Sequence, residues 1–152
     1  MAQAKGYKTL LIIYFSLFAG QVVFVVIAAF IVKQKMFVAR PALENLLLPI
    51  VSVLALICII IGNKLFRKRV QKLANIHVIA ERFSDYRSIS LTRWAILEGP
   101  CLFAIICFLL TANNLFLILA AVILFVFWTT APVKNKVAAD LGITPADLDS
   151  IE

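Results

Sequence analysis

Residues 9–33 read TLLIIYFSLFAGQVVFVVIAAFIVK, an apolar run in which no charged residue occurs before Lys33. A helix needs about 20 apolar residues to cross the hydrocarbon core of a bilayer. Three further apolar stretches follow along the chain, at about 42–66, 94–112 and 115–131. The chain is 63% hydrophobic, whereas soluble domains are roughly 45–50% apolar. The sequence therefore predicts an all-α integral membrane protein with four transmembrane helices, the first at about 9–32.

The connections between these stretches indicate how the helices pair. Residues 111–114 form a short link between the third and fourth spans, which is typical of antiparallel neighbours. Residues 33–41 join the first two spans. We therefore expect two helical hairpins in a domain over residues 1–132, with a cytoplasmic loop at 67–93 between them and a cytoplasmic tail at 133–152.

The tail carries the signals of short helices. Gly142 is a typical stop for a helix that begins at Val133. Thr144 and Pro145 predict a second helix start, because Thr is a good N-cap and Pro is tolerated in the first turn, where its missing N–H costs nothing.

Apolar residues of the loop at 67–93 recur at steps of three and four, the period of an amphipathic helix. They are Val70, Leu73, Ile76, Ala80 and Phe83. This amphipathic segment either lies on the inner membrane surface or continues the second span into the cytosol and packs against the tail. The polar residues 85–90 predict a break before the third span, with Ser88 or Ser90 as its N-cap.

Basic residues are unevenly distributed among the connections. Of the 15 Lys and Arg residues, two (Lys5 and Lys8) precede the first span, eight lie within 64–93, two follow the last span, and three lie at 33–41. With four spans, the first three groups share one side, and an excess of Lys and Arg marks the cytoplasmic side. We therefore expect both termini in the cytoplasm, and a bacterial inner membrane as the location.

The basic residues that directly follow the second span are expected to contact lipid headgroups. They are Arg67, Lys68, Arg69 and Lys72. Clusters of this kind beside a membrane span attract anionic lipids. The expected partner of this surface is thus the bilayer with its anionic headgroups, and not nucleic acid, because the basic residues are not interleaved with aromatic ones.

Four polar residues at membrane depth are candidates for a functional site: Glu98, Tyr14, Gln21 and Asn63. Glu98 is the strongest, because an ionisable group inside a bilayer is costly. Two interpretations stay open for it. Glu98 lies five residues after Arg93, near the inner boundary, where it can complement the helix dipole or serve as a hydrogen-bonded packing group. Alternatively, it binds a proton or an ion together with Tyr14 or Gln21. By depth, its expected partners are Tyr14, Ser16 and Asn63.

The first span offers two faces for helix packing, and the sequence does not choose between them. One face has the spacing of a helical stripe and carries Tyr14, Leu17, Gln21, Val25 and Ala28. The other has a small-x-x-x-small pair, Ser16 and Gly20. The second span carries a seam of mostly small residues: Ser52, Ala55, Ile59 and Gly62.

The sequence contains no motif for catalysis. It has no P-loop or dinucleotide fingerprint, and no nucleophile elbow or zinc-protease helix. His77 is the only histidine, and the three cysteines all fall inside spans, so we expect neither a metal site nor a disulfide. We expect no enzyme and no cofactor.

These features predict a small polytopic membrane protein that acts as an accessory or assembly subunit through helix packing and a cytoplasmic docking face. Its partner is either a second copy of the chain or another membrane protein. The alternative is a proton- or ion-coupled transport subunit that uses intramembrane Glu98.

Overall fold

The computed structural model describes residues 6–35 and 40–150, apart from the side chains of Pro41, Asp149 and Ser150. Within these residues the chain has no strand and forms α1 (Gly6–Lys33), α2 (Glu44–Leu73), α3 (Ile79–Thr111), α4 (Asn114–Thr129), α5 (Lys134–Leu141) and α6 (Pro145–Ser150). A short 3-10 helix, Pro41–Leu43, precedes α2. Lys5, residues 36–39 of the first link and the last two residues of the predicted tail lie outside the described residues.

Three helices, α1, α2 and α3, are long and apolar enough to cross a membrane. Helix α4 has 16 residues, slightly fewer than a typical span, and it is followed after a 64° bend by α5. The described chain is therefore all-helical, with three to four candidate membrane-spanning helices. This agrees with the all-helical fold and with the location in a membrane that the sequence predicts.

Helix α3 lies at the centre of the bundle. It packs against α1, α2 and α4, whereas α1 and α2 have almost no direct contact with each other. Half of the apolar window of α3 is buried inside the protein, compared with 17% for α1 and for α2. The first two helices therefore sit on different sides of α3, and most of their apolar surface faces outward.

Two clusters of buried side chains show the relative directions of the four long helices. The first joins the beginnings of α1 and α3 to the ends of α2 and α4, with Leu10, Phe83, Phe66 and Phe127 among its members. The second joins the opposite ends of the same helices, with Ala28, Phe108, Val51 and Phe116 among its members. Helices α1 and α3 thus run in one direction, and α2 and α4 in the other. We call the end that holds the first cluster the basic end, because residues 64–93 begin and end beside it.

The opposite end is closed by two short connections. The amide of Arg40 donates to the carbonyl of Leu110 over 2.8 Å, which ties the first link to the end of α3. Ala112 adopts a left-handed conformation (φ 56°) and ends α3. The side chain of Asn113 then accepts from the amide of Leu115 over 2.8 Å and caps α4. Helices α3 and α4 therefore run antiparallel and pack on each other.

The predicted break at 85–90 is wrong, because the chain turns at 74–78 instead. Helix α2 continues to Leu73 and α3 begins at Ile79, so that residues 85–90 are helical and neither Ser88 nor Ser90 is an N-cap. The reason is visible in the burial pattern. Phe83, Tyr86 and Ile89 are buried, and the same stripe continues into the apolar part of α3. Asp85 and Ser88 lie on the outer face of one long helix, and Ser90 is buried with the apolar stripe.

Arg82 holds the turn at 74–78. Its Nε donates to the carbonyl of Ile76 over 2.9 Å, and its Nη2 donates to the same oxygen. Its Nη1 donates over 2.8 Å to the carbonyl of Leu141, at the end of α5. One guanidinium thus satisfies carbonyls that the turn and the helix end leave without intrahelical partners, and it links the turn to the tail.

The tail folds back onto the basic end. Val137, Leu141 and Leu148 are buried in the same cluster as Leu73 and Phe83. Gly142 ends α5 in a left-handed conformation (φ 65°), as predicted. Thr144 caps α6, as predicted: its hydroxyl accepts from the amide of Asp147 over 3.3 Å and donates to its carboxylate over 2.7 Å. The tail is therefore part of the folded unit and not an extension of it.

Removing the guanidinium of Arg82 should loosen the tail. We expect Arg82→Ala to lower the free energy of unfolding in detergent by about 1.5–3 kcal/mol, since hydrogen bonds from a charged donor contribute about that much. Hydrogen exchange at 133–150 should speed up. Arg82→Lys should not restore the wild-type values, because an ammonium cannot reproduce the planar fork.

The control is Arg87→Ala. Arg87 lies on the same helix and makes no hydrogen bond with the described residues, so its loss should leave both measurements unchanged. Equal effects of the two substitutions would contradict the role of Arg82 as the link between turn and tail.

Candidate functional site

Tyr14 lies deep in the bundle, but it bonds to backbone and not to another polar side chain. Its ring is fully buried, 5.1 Å from the ring of Trp94 and 5.3 Å from that of Phe127 between centroids. Its hydroxyl donates to the carbonyl of Phe127 over 3.1 Å, with the carbonyl of Trp128 at 3.3 Å. These carbonyls belong to the last turn of α4, where they also accept from the amides of Thr130 and Ala131. Tyr14 therefore joins α1 to the end of α4.

The structure also resolves which face of α1 packs inward. Tyr14, Gln21 and Ala28 are buried, so this stripe contacts the other helices. Ser16 and Gly20 are exposed, and a Cβ added at Gly20 would meet no atom within 4 Å. The small-residue pair of α1 is thus left on the outer surface.

The small-residue seam of α2 is used inside the bundle. Ala55 and Gly62 are buried, and a Cβ added at Gly62 would come within 3.5 Å of the Ile96 side chain of α3. Small side chains let helix backbones approach closely. The seam therefore explains why α2 packs closely on α3, and it leaves no small-residue face of α2 for a partner.

Asn63 and Arg93 form a pair at the basic end. Arg93 Nη2 donates to Asn63 Oδ1 over 2.5 Å, and its Cζ stands 4.5 Å from the centroid of the Phe66 ring, within the range of a cation–π contact. The Nε of Arg93 is buried and has no hydrogen-bond partner among the described residues. Asn63 therefore serves Arg93 and not Glu98.

Glu98 is half-buried on α3. Among the described residues it makes no hydrogen bond and no ion pair. The hydroxyl of Tyr14 and the amide of Asn63 bond elsewhere, as shown above. The structure therefore does not gather the four candidate residues into one hydrogen-bonded site.

Gln21 is the least satisfied of the four. Its side chain is 1% exposed, and neither Nε2 nor Oε1 has a hydrogen-bond partner within the described residues. Gln21 follows Tyr14 by seven residues, as Cys101 follows Trp94. Because the Tyr14 and Trp94 rings are in contact and the two helices run parallel, equal rises of about 10 Å bring Gln21 to the depth of Cys101. Glu98 lies about one turn nearer the basic end.

A cleft opens between α2, α3 and α5 at the basic end. Its volume is about 480 Å³, and it is lined by Ile59, Ile60, Asn63, Lys64, Phe66, Arg67, Arg93, Lys136 and Asp140. We call it the interhelical cleft. Four of these side chains are cationic and one is anionic, so the cleft has a net positive charge. Its chemistry suits an anion that also has an apolar part.

One carboxylate of the cleft is held by a tyrosine. Tyr86 donates to Asp140 Oδ2 over 3.1 Å, and the Tyr86 ring makes an edge contact with Phe66, at 6.0 Å between centroids. Burial raises the pKa of Tyr86, and the negative charge of Asp140 raises it further. The hydroxyl therefore stays protonated at neutral pH and continues to donate to Asp140, which holds α5 against α3.

The predicted headgroup residues fall on different surfaces of α2. Arg67, Lys68, Arg69 and Lys72 are all exposed. Arg67 lines the interhelical cleft, while Arg69 and Lys72 line a smaller groove of about 230 Å³ on the side of Asp85. Lys68 lines neither of these two openings.

The sequence analysis missed the contributions of Arg93, Lys136 and Asp140 to the cleft. Each was visible in the sequence as a charged residue near the end of a span. The three come together only because the chain bends by 64° between α4 and α5, which places α5 against α2 and α3. No local pattern specifies that return. The one available signal was the pairing of an acidic tail with a basic loop on the same side.

Comparison of the chain with known protein families, with curated proteins and with solved structures finds no match. Within residues 6–35 and 40–150, no group of three or more His, Cys, Asp and Glu side chains is placed to hold a metal ion. The three cysteines are free.

Replacing Gln21 tests whether its buried side-chain amide is unpaired. Leaving a buried polar group unpaired costs about 1–3 kcal/mol, so Gln21→Leu should raise the free energy of unfolding in detergent by about 1 kcal/mol. Gln71→Leu is the control, because Gln71 is exposed on the basic end of α2 and its loss should change little. A loss of stability in Gln21→Leu would mean that the amide has a partner in the assembled protein.

Proposed function

We propose that this chain is a polytopic membrane protein that crosses the bilayer four times, as two consecutive antiparallel helix pairs of which only α3 and α4 pack directly on each other, with both termini in the cytoplasm. We propose further that it acts as an accessory or assembly subunit and catalyses no reaction. Twelve of the basic residues lie in the segments that would then face the cytoplasm, and three lie in the first link. The positive-inside rule supports this orientation.

The outward surfaces of α1, α2 and α4 support immersion of the bundle in lipid. Large apolar side chains project from each of them, with Phe30 58% exposed, Leu56 60% exposed and Phe125 69% exposed. A soluble monomer rarely shows contiguous apolar surface of this extent. Lipid or partner helices would cover this apolar surface, so that it would not have to be hydrated.

The small-residue face of α1 is the observation that carries the proposed assembly role. Ser16 and Gly20 are exposed, and the space around Gly20 is open. Association of helices in a bilayer depends on close backbone approach at small residues. The small residues of α2 are already packed on α3, whereas the Ser16–Gly20 face of α1 is open to a partner helix. The partner is a second copy or another membrane protein.

The basic end supports a docking role on the cytoplasmic side. Helix α5 is fixed there by Arg82 and by the Tyr86–Asp140 hydrogen bond, while Lys68 and Arg69 remain exposed on α2. A rigid, positively charged surface next to the bilayer is suited to an acidic partner or to anionic lipid.

Filling the open space at Gly20 should prevent association without disturbing the fold. We expect Gly20→Leu to reduce the fraction of assembled protein about tenfold, a change of roughly 1.4 kcal/mol. The measurement is the mass of the complex, by light scattering, after extraction of the full chain from its native membrane in mild detergent. Wild-type protein should be larger than a single chain.

Ala121→Leu is the matched control. Ala121 is also small and exposed, but lies on α4, so the same increase in size should leave the mass unchanged. A wild-type protein that is a single chain both in mild detergent and in nanodiscs would overturn the assembly role. So would equal behaviour of the two variants.

A second candidate function is proton or ion transport through Glu98. The observation in its favour is that Glu98 has no hydrogen bond, and that buried Gln21, about one turn deeper, has none either. Polar groups without partners in a membrane interior are typical of ion pathways. Since one bundle of this size encloses no obvious path, transport would also depend on assembly.

Replacing the carboxyl of Glu98 tests this second candidate. If Glu98 carries protons, vesicles with wild-type protein should dissipate an imposed pH gradient, and Glu98→Gln should slow this by at least about tenfold, as expected for loss of a proton-transfer group. Glu81→Gln is the control, because Glu81 is an exposed carboxyl on the same helix. A wild-type rate equal to that of protein-free vesicles removes the transport candidate.

A further inference from the structure

The interhelical cleft combines an apolar part with a cationic part. Ile59 and Ile60 line one side of it, and Ile60 is 50% exposed at the last turns of the apolar stretch of α2. Lys64 and Arg67 follow on the next turns of the same helix. A ligand in the cleft would thus meet hydrocarbon toward the centre of the bundle and positive charge toward the basic end.

The cations of the cleft are available for an anion. Lys64 and Arg67 are exposed and make no hydrogen bond or ion pair with the described residues. Arg93 is held by Asn63 and stacked on Phe66, with its Nε unpaired. These groups come from α2 and α3, and Arg93 among them is held in place by its contacts with Asn63 and Phe66.

Helix α5 closes the cleft from the third side. Lys136 Nζ donates to the carbonyl of Thr129 at 3.3 Å and still has two N–H donors to offer. Asp140, the only carboxylate in the lining, already accepts from Tyr86. Charge complementarity therefore favours an anion with several acceptor oxygens, and phosphate is the group that Lys and Arg bind in this manner.

We propose that the interhelical cleft binds the phosphate of one anionic phospholipid, with Lys64, Arg67, Arg93 and Lys136 around the phosphate and the acyl chains along Ile59 and Ile60. The proposal rests on the membrane placement under the proposed function and adds a defined lipid site to it. It differs from general attraction of the basic surface to the bilayer, because the donors come from three helices. Lipid binding would hold α5 in its docked position.

The test compares two double variants of the full chain in detergent. Lys64→Gln with Arg67→Gln removes two charges from the cleft, and Lys68→Gln with Arg69→Gln removes two charges from the same stretch of α2 outside the cleft. The probes are dioleoylphosphatidylglycerol, dioleoylphosphatidylcholine and inorganic phosphate. Lipid bound per protein is measured by native mass spectrometry, and variants are compared at matched Tm.

We expect wild-type protein to bind the phosphatidylglycerol at least about tenfold more tightly than the phosphatidylcholine, as charge-assisted hydrogen bonds to phosphate are strong. The cleft variant should lose about tenfold in affinity for the anionic lipid, and the control variant less than about twofold. Lys136→Gln should also weaken binding, because its charge comes from α5. Inorganic phosphate at about 10 mM should not displace the lipid.

Equal losses in the two double variants would overturn the proposal, since they would show non-specific attraction. Equal affinity for the two lipids would overturn it as well. Displacement by inorganic phosphate would assign the cleft to a soluble phosphate compound and not to a lipid. The Gly20→Leu variant should bind the anionic lipid as wild type does, so that a failure of the assembly role and a failure of the lipid site are distinguished.

Discussion

The continuous burial stripe of α3 is the constraint on which the rest of the structure depends. Ile79–Thr111 is one helix that passes from a polar half into an apolar half without a break, and residues at three- and four-residue steps are buried along its length. In the apolar half these residues pack against α1, α2 and α4, and in the polar half against α2 and α5. Because one rigid helix supplies both contact surfaces, the position of the tail is tied to the position of the apolar helices.

The change of environment along α3 occurs near Arg93 and Trp94. Trp94 is buried among aromatic rings, although an indole at this depth would also suit the membrane interface. Arg93, the preceding residue, keeps its charge at the edge of this apolar region through Asn63 and Phe66. Burial of a cation is costly unless it is paired, and the cleft has one carboxylate, Asp140, beside four cationic side chains. This imbalance is the physical basis for an anion in the interhelical cleft.

Features that depend on local sequence were predictable, and features that depend on the return of distant segments were not. The apolar helices, the inward face of α1 as one of two options, and the cap Thr144 follow from composition, period and turn chemistry. The break at 74–78 does not follow from the sequence. The apolar stripe from Val70 to Phe83 has the same period in one surface helix as in the ends of two helices that pack together. Hydrogen bonds from Arg82 to the carbonyls of Ile76 and Leu141 stabilise the two-helix arrangement, and they form only in the folded chain.

The contacts of the candidate polar residues could not be predicted from the sequence either. Sequence position placed Tyr14, Asn63 and Glu98 at similar depth, but depth says nothing of direction around a helix. Tyr14 bonds to the end of α4 and Asn63 bonds to Arg93, so each has a hydrogen-bond partner that the sequence does not identify. Within residues 6–35 and 40–150, Glu98 makes no hydrogen bond and the buried amide of Gln21 has no partner. Because most of α1 and α2 also faces outward, the proposed assembly with lipid and partner helices would complete the packing that the described residues leave open.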